Sequence, residues 1–310
     1  MERTIKRFKQ ADAILCGDVH LREDSPVCRT DDVWAAQWRK VDFISDLQKK
    51  HDCPVLCSGD LFDYWKPSPN LLTWASEHLP DKFYTIYGQH DLPQHSMELA
   101  YKSGVWNLWK NGKLGILEGI DHLSHDPELD ILTDGCSFNQ RPDEVYSTKE
   151  GGAFKNILVW HIMNYQGKLP WPGCTSPLAA GLLRKYPQYD LIVTGDNHKP
   201  FVETCEGRLL VNVGSMMRTT ADQIDYKPAV WLWYAETNTV EKVYLPIEDN
   251  VISREHIEVK EQRDNRINAF VERLNDDFEA SMSFEENIEA FKNTNKVRTS
   301  VMNIIYKAIE

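Results

Sequence analysis

No two of the seven cysteines (positions 16, 28, 53, 57, 136, 174 and 205) stand as a Cys-x-x-Cys pair. That excludes zinc-finger and thioredoxin-type readings, and an odd, scattered set reads as reduced thiols of a cytoplasmic protein. The chain has no Gly-x-x-x-x-Gly-Lys-Ser/Thr loop and no Gly-x-Gly-x-x-Gly after a strand, so no nucleotide cofactor is expected. No run approaches the roughly 20 apolar residues that span a bilayer. The charged opening MERTIKRFKQ has no apolar stretch behind it, so neither a membrane segment nor a signal peptide is expected. Positive charge is also short: 35 Lys and Arg against 47 Asp and Glu give a net charge of −12. This excludes a broadly basic nucleic-acid surface, but not a local basic patch or bound divalent cations.

What is present suffices for a large core. Hydrophobic residues make up 42% of the 310, with ten Trp, eleven Phe and twelve Tyr. Five short apolar runs each end in polar residues: ADAILCGDVH (11–20), CPVLCSGDLFD (53–63), KFYTIYGQHD (82–91), NILVWHIM (156–163) and DLIVTGDNH (190–198). Between the first two, Val33, Trp34, Trp38, Val41, Ile44 and Leu47 recur at helical spacing, with Asp31 or Asp32 to cap the helix and a lysine pair at its end. A second helix is expected over 70–78. Strands alternating with helices signify an α/β layer. Two hairpins follow, turning at Glu206-Gly207 and near Thr237-Asn238. From about 251 the composition turns charged and amide-rich. Ile267, Phe270, Val271, Leu274 and Phe278 form one stripe, Ser283 with Glu286 suits a capping box, and a further stripe runs over 297–305. The expected organisation is one domain over 1–250 and a helical appendage over 251–310.

Each of the five runs ends in a candidate metal ligand. In order these are Asp18 and His20, Asp60, Gln89 beside His90, His161, and Asp196 with His198. Residues at the C-terminal ends of neighbouring strands converge on one crevice. Carboxylate oxygens with imidazole nitrogens suit Mn²⁺, Fe²⁺ or Zn²⁺. Seven candidates are too many for one ion with an open position, and about right for two ions sharing a carboxylate. His51, His78 and His256 lie away from the strand ends and read as surface residues. Tyr64 and Trp65 would rim the crevice, and Arg218 and Lys199 read as candidate phosphate contacts.

The blocks Gly17-Asp18-Val19-His20, Gly59-Asp60-Leu61-Phe62-Asp63, Gly88-Gln89-His90-Asp91, His161 and Gly195-Asp196-Asn197-His198 resemble, in order and spacing, the calcineurin-like metallophosphoesterases. VNVGSMMRTTADQ (211–223) is similar to a stretch of DNA-repair exonucleases of the SbcD type. The resemblance implies a four-layer αββα sandwich, two mixed sheets facing each other with helices outside. It implies a first metal held by Asp18, His20, Asp60 and His198. A second would be held by Asp60, Gln89, His161 and Asp196, with Asp60 shared and a metal-bridging hydroxide as nucleophile. His90 would contact the phosphate or protonate the leaving oxygen, and Asp63 would orient His90. Two positions depart from the pattern. Asp196 stands where the family usually has His, and Gln89 where it usually has Asn. A third carboxylate makes the second site harder, favouring Mn²⁺, with Mg²⁺ or Fe²⁺ next and Zn²⁺ last. The resemblance further implies a DNA substrate, an SbcC-type ATPase partner docking on 251–310, and a homodimer. A small-nucleotide phosphodiesterase or protein phosphatase of the same superfamily, and a catalytically decayed interaction module, remain as alternatives.

Overall fold

The computed structural model describes residues 9–118, 120–122, 131–142, 155–276 and 283–309. The chain divides into two units, Met1–Ser253 and Arg254–Glu310.

The first unit is built on two six-stranded sheets. One runs in the order β12 (Thr239–Tyr244), β11 (Ala229–Tyr234), β1 (Ala13–Cys16), β2 (Val55–Cys57), β3 (Phe83–Thr85) and β4 (Gly115–Ile116). The other runs β5 (Ile120–His122), β6 (Ile131–Cys136), β7 (Lys155–Trp160), β8 (Leu191–Thr194), β10 (Arg208–Asn212) and β9 (Phe201–Cys205). Both are mixed: β1, β2, β3 and β4 pair in parallel, as do β6, β7, β8 and β10, while β1–β11, β11–β12, β5–β6 and β9–β10 run antiparallel.

Side-chain alternation decides the layers. Ala13 and Leu15 of β1 pack with Ile157, Val159, Leu191 and Val193 of the opposite sheet, forming the inter-sheet core. Ile14 and Cys16 face the other way, onto α1 (Val33–His51), α2 (Pro69–His78) and α3 (Gly104–Lys110). Leu158, Trp160 and Ile192 face α4 (Ala179–Lys185) on the outside of the second sheet. The result is the expected αββα sandwich.

Local chemistry fixes the helix ends. The Asp32 carboxylate accepts from the Ala35 N–H at 3.0 Å, and Lys49 and Lys50 stand at the α1 C-terminus, where cations suit the helix dipole. Ser68 caps α2 at the Leu71 N–H, 3.1 Å away, with Pro69 at the first helical position. The first hairpin turns at Glu206 and Gly207 (φ 53° and 76°), both left-handed. His51 departs from its sequence reading: it is buried, and its Nδ1 accepts from the Ala11 N–H at 3.0 Å, tying the end of α1 to the start of β1. β4, β5, β6, α3 and α4 are also additions, too short or too weakly patterned to stand out in the sequence.

Among the described residues the second unit holds α5 (Glu255–Asp276), α6 (Phe284–Thr294) and α7 (Thr299–Ile309). Ser283 caps α6 by accepting from the Glu286 N–H at 3.3 Å. Phe278 lies outside the described residues. Among the described residues, no helix is long and apolar enough to cross a membrane.

Candidate metal centre

The seven sequence-predicted ligands come from loops at the C-terminal ends of β1, β2, β3, β7 and β8. The chain must turn abruptly there, and it does so in strained backbone: Asp18, His20, Asp60 and Asp196 all have positive φ, between 45° and 72°. Such conformations cost about 1–3 kcal/mol each and cluster where side-chain aim matters more than backbone comfort. Gly88 must be glycine, because a Cβ there would stand 2.0 Å from the Asp60 carboxylate oxygen.

Contacts then run through the whole set. His20 Nε2 lies 3.3 Å from His198 Nε2, across 178 residues of chain. Asp60 Oδ2 is 3.8 Å from His20 Nε2 and 3.5 Å from His161 Nε2, so this one oxygen touches both halves of the cluster. His161 Nε2 faces Gln89 Oε1 at 2.6 Å, and Gln89 Nε2 donates to Asp196 Oδ1 at 2.8 Å. Three groups of side chains have ligand atoms within 4.8 Å of one another: Asp18, His20 and His198; Asp18, Asp60 and His161; His20, Asp63 and His90. The Asp196 carboxylate joins none of them. Its side chain reaches the cluster through Gln89, while its main-chain N–H donates to Asp18 Oδ1 at 3.0 Å.

These atoms fit a cation better than they fit one another. His161 Nδ1 faces the Ser58 carbonyl at 2.6 Å, so the ring donates there. In neutral imidazole that leaves Nε2 as a lone pair, aimed at a second acceptor, Gln89 Oε1. Asp18 Oδ2, Asp60 Oδ2 and His20 Nδ1 are buried with no hydrogen-bond partner among the described residues. Burial, with the Asp60 and Asp196 charges adding, pushes Asp18 up to about 7. Burial, with Asp196 and Asp63 adding, pushes Asp60 up to about 8. Burial and neighbouring imidazoles hold His20 below the ordinary histidine range, and burial does the same for His198. Neutral imidazoles are the form a divalent metal binds, and a bound cation would restore the charged form of the two buried carboxyls, releasing their protons.

His90 is exposed; its main-chain N–H donates to Asp60 Oδ1 and its Nδ1 to the Asp63 carbonyl, both at 2.8 Å. Asp63 thus meets His90 through its main chain. Its carboxylate takes Arg22 at 3.2 Å and stands 3.7 Å from His20 Nδ1, because the Arg22 guanidinium is the stronger partner. Arg218 is no phosphate contact: it is buried and donates to the carbonyls of Ile224 and Glu248.

Two supports escaped the sequence reading. Asp91, fully buried, accepts from the N–H groups of Leu61, Phe62 and Gly88 at 3.0–3.3 Å, joining the Asp60 and Gln89 loops. Its place in the GQHD block was the available signal. Asp91→Ala strands three buried donors at about 1–3 kcal/mol each before relaxation. A loss of roughly 3 kcal/mol in chemical denaturation is expected, and a loss under about 1 kcal/mol would show that the loops hold without it. Asn212, also buried, donates to the carbonyls of Asn197 and Lys199 at 2.6 and 2.9 Å and so braces the loop carrying His198. Met216 N–H, from the same stretch, donates to the Asp18 carbonyl at 3.1 Å.

A family model of the calcineurin-like phosphoesterases matches residues 13–200, more than half the chain. The chain belongs to that family. Calcineurin-like phosphoesterases use a dinuclear metal centre, and the clusters just described are this member's candidate ligands for it. Among solved structures it is similar to an archaeal phosphodiesterase, with TM-score 0.40 and 11% identity, over 75% of this chain and 99% of that one. It is also similar to a Staphylococcus aureus protein described as a candidate 5'-nucleotidase, solved with alpha-ketoglutarate. There the TM-score is 0.48 and the identity 13%, over 82% of this chain and 58% of that one. No curated protein matches the chain in sequence.

Proposed function

We propose that this calcineurin-like phosphoesterase is a two-metal phosphodiester hydrolase acting on DNA, a cytoplasmic nuclease subunit of the SbcD type that works with Mn²⁺. The observation that carries the reading is Asp60: one buried, unpartnered carboxylate oxygen within 3.8 Å of imidazoles from two different strand ends, in different sheets. What two divalent ions supply when bound is neutralisation of phosphate charge and a lowered pKa for the attacking water. Asp18, His20, Asp60 and His198 would hold the first, and Asp60, Gln89, His161 and Asp196 the second. His90, with Nδ1 engaged by the Asp63 carbonyl, keeps Nε2 for the phosphate or for the proton that the leaving oxygen needs. The nuclease assignment draws on the 211–223 stretch. An ATPase subunit of the SbcC type is the proposed partner of 251–310, whose Val259, Ile267, Phe270, Phe284, Val301 and Ile304 are exposed apolar side chains on amphipathic helices.

Metal-stripped protein should hydrolyse bis-p-nitrophenyl phosphate when Mn²⁺ is restored, with two ions bound per chain. Asp196→Ala should bind one ion fewer and lose about 10–100-fold in turnover, the usual cost of weakening a ligand's setting. No turnover with any divalent ion, and one ion or none bound, would mean that the phosphodiesterase reading is wrong.

A further inference from the structure

Two surface grooves of the first unit are lined by lysines and aromatic rings with no acidic side chain among them. The first, about 410 Å³, runs from Met163, two residues past His161, to Asn197 and Lys199, which flank His198. Tyr165, Trp171 and Phe201 line it with Lys168 and Lys199. The second, about 360 Å³, begins at Lys66, three residues past Asp63, and is lined by Tyr101, Trp106, Lys102 and Lys110. The Gly104 N–H donates to the Trp65 carbonyl at 2.9 Å, which fastens α3 to the Asp63 loop and places that groove.

The five lysines are all exposed, and no acidic residue lines either groove. In a chain where acids outnumber bases 47 to 35, such segregation marks where anionic charge is admitted. Two of the aromatic rings stand well out into solvent, Trp171 at 51% and Tyr101 at 54% exposed, while Phe201 packs against the core beneath α4. In the second groove Lys110 stands 3.7 Å from the Trp109 ring centre and 4.7 Å from that of Trp106, and Lys102 5.4 Å from that of Tyr101, so lysines and rings lie side by side. Gly167 and Gly173, both with positive φ, flank the Lys168–Trp171 segment and hold it out as a loop.

Exposed rings interleaved with lysines suit one ligand chemistry. A single nucleic-acid strand offers a π-face and a phosphate at every nucleotide, whereas paired bases in a duplex keep their faces covered. The first groove includes Asn197 and Lys199, which flank His198 in the second sheet's loop, and the other includes Lys66, three residues past Asp63 in the loop after β2. The candidate centre lies at the seam.

We infer that these grooves bind a single DNA strand on either side of the scissile phosphate, with bases on Trp171 and Tyr165 in one groove and on Tyr101 and Trp106 in the other. Lys168, Lys199, Lys66, Lys102 and Lys110 take the flanking phosphates. The inference rests on the hydrolase reading but is tested apart from it.

Binding of fluorescein-labelled oligothymidylate to the full chain is measured by anisotropy in EDTA, so that no cleavage intervenes. Trp171→Ala and Tyr101→Ala should each weaken binding about tenfold, the scale of one lost stacked base. Lys168→Ala with Lys199→Ala should flatten the slope of log affinity against log salt by about 1.4. Tyr244→Ala and Lys227→Ala, exposed positions outside both grooves, should bind like the wild type. Thermal melts of each variant separate lost contacts from lost fold. Undiminished binding in the groove variants, equal weakening in the outside variants, or a duplex competing as well as the single strand overturns the inference. Wild-type turnover of bis-p-nitrophenyl phosphate is read in parallel. Turnover with groove-independent strand binding removes the grooves alone, and groove-dependent binding without turnover removes the hydrolase reading alone.

Discussion

Asp60→Asn is expected to lower turnover of bis-p-nitrophenyl phosphate by about a thousandfold while leaving the fold intact. The substitution keeps the volume and can keep the Oδ1 acceptor for the His90 N–H, 2.8 Å away. What it removes is the charge on the oxygen that faces both His20 and His161. Ions stabilise transition-state charge by several kcal/mol, and each 1.36 kcal/mol is tenfold in rate, so losing the shared anion costs roughly three powers of ten. Stability should move the other way in metal-free protein. Burial pushes Asp60 up to about 8, so at neutral pH the metal-free folded protein must take up a proton that the unfolded chain does not hold, and a neutral amide removes that cost. Mn²⁺ at about a hundred times its Kd should stabilise the wild type by roughly 2.7 kcal/mol, and that gain should shrink in the variant. Turnover within about tenfold of wild type, with two ions still bound, would refute the sharing of Asp60.

Lys40→Met should raise stability by about 3 kcal/mol at neutral pH, or roughly 5–10 °C in Tm. Lys40 sits on the buried face of α1, and among the described residues its ammonium donates to the Met217 sulfur at 3.2 Å, a weak acceptor. Burial, with the Arg29 and Arg218 charges adding, pushes it down to about 7. The unfolded chain holds that proton up to about pH 10.4. Between these values the unfolded state binds more protons, so the wild type gains stability as pH rises from about 7 towards 10. The cost of the charge is fully present below about 7. Methionine fills similar volume without a proton to lose. The gap between variant and wild type should therefore be widest at acidic and neutral pH and close towards pH 10. Urea melts across that range check it, and a gap independent of pH would show that Lys40 is not a buried cation in the folded protein.

Both residues show where sequence reading reaches its limit. Asp60 was legible because a Gly-Asp following a short apolar run leaves a carboxylate at a strand end, and several strand ends in one sheet share a crevice. Lys40 was not legible: it stands one turn from Ile44 on the apolar stripe, and a long cationic side chain there ordinarily snorkels to solvent. Whether it can do so depends on Met217, 177 residues away in sequence. Asp91 was within a recognised block, yet its role as acceptor for three main-chain donors exists only once the loops after β2 and β3 lie side by side. The same holds for Asn212, which looks like the last residue of a strand and acts as a brace. Asp63 was expected to steer His90 with its carboxylate; Arg22, brought beside it by the fold, takes that group and leaves the carbonyl.

By itself the sequence determined the alternation of strands and helices, the two hairpins, the caps of α1 and α6, and the strand-end positions of seven candidate ligands. Each of these rests on local forces: backbone hydrogen bonding, side-chain periodicity, and turn residues a few positions apart. Tertiary structure alone decided that Asp60 touches both halves of the cluster, that Asp196 is reached through Gln89, that Arg218 and Lys40 are buried, and that lysines and aromatics from separate loops line two acid-free grooves. Those facts depend on contacts between residues tens to hundreds of positions apart, and on which side of a sheet each loop emerges. No local pattern encodes that, because the free energy that selects it comes from packing the two sheets and their helices together.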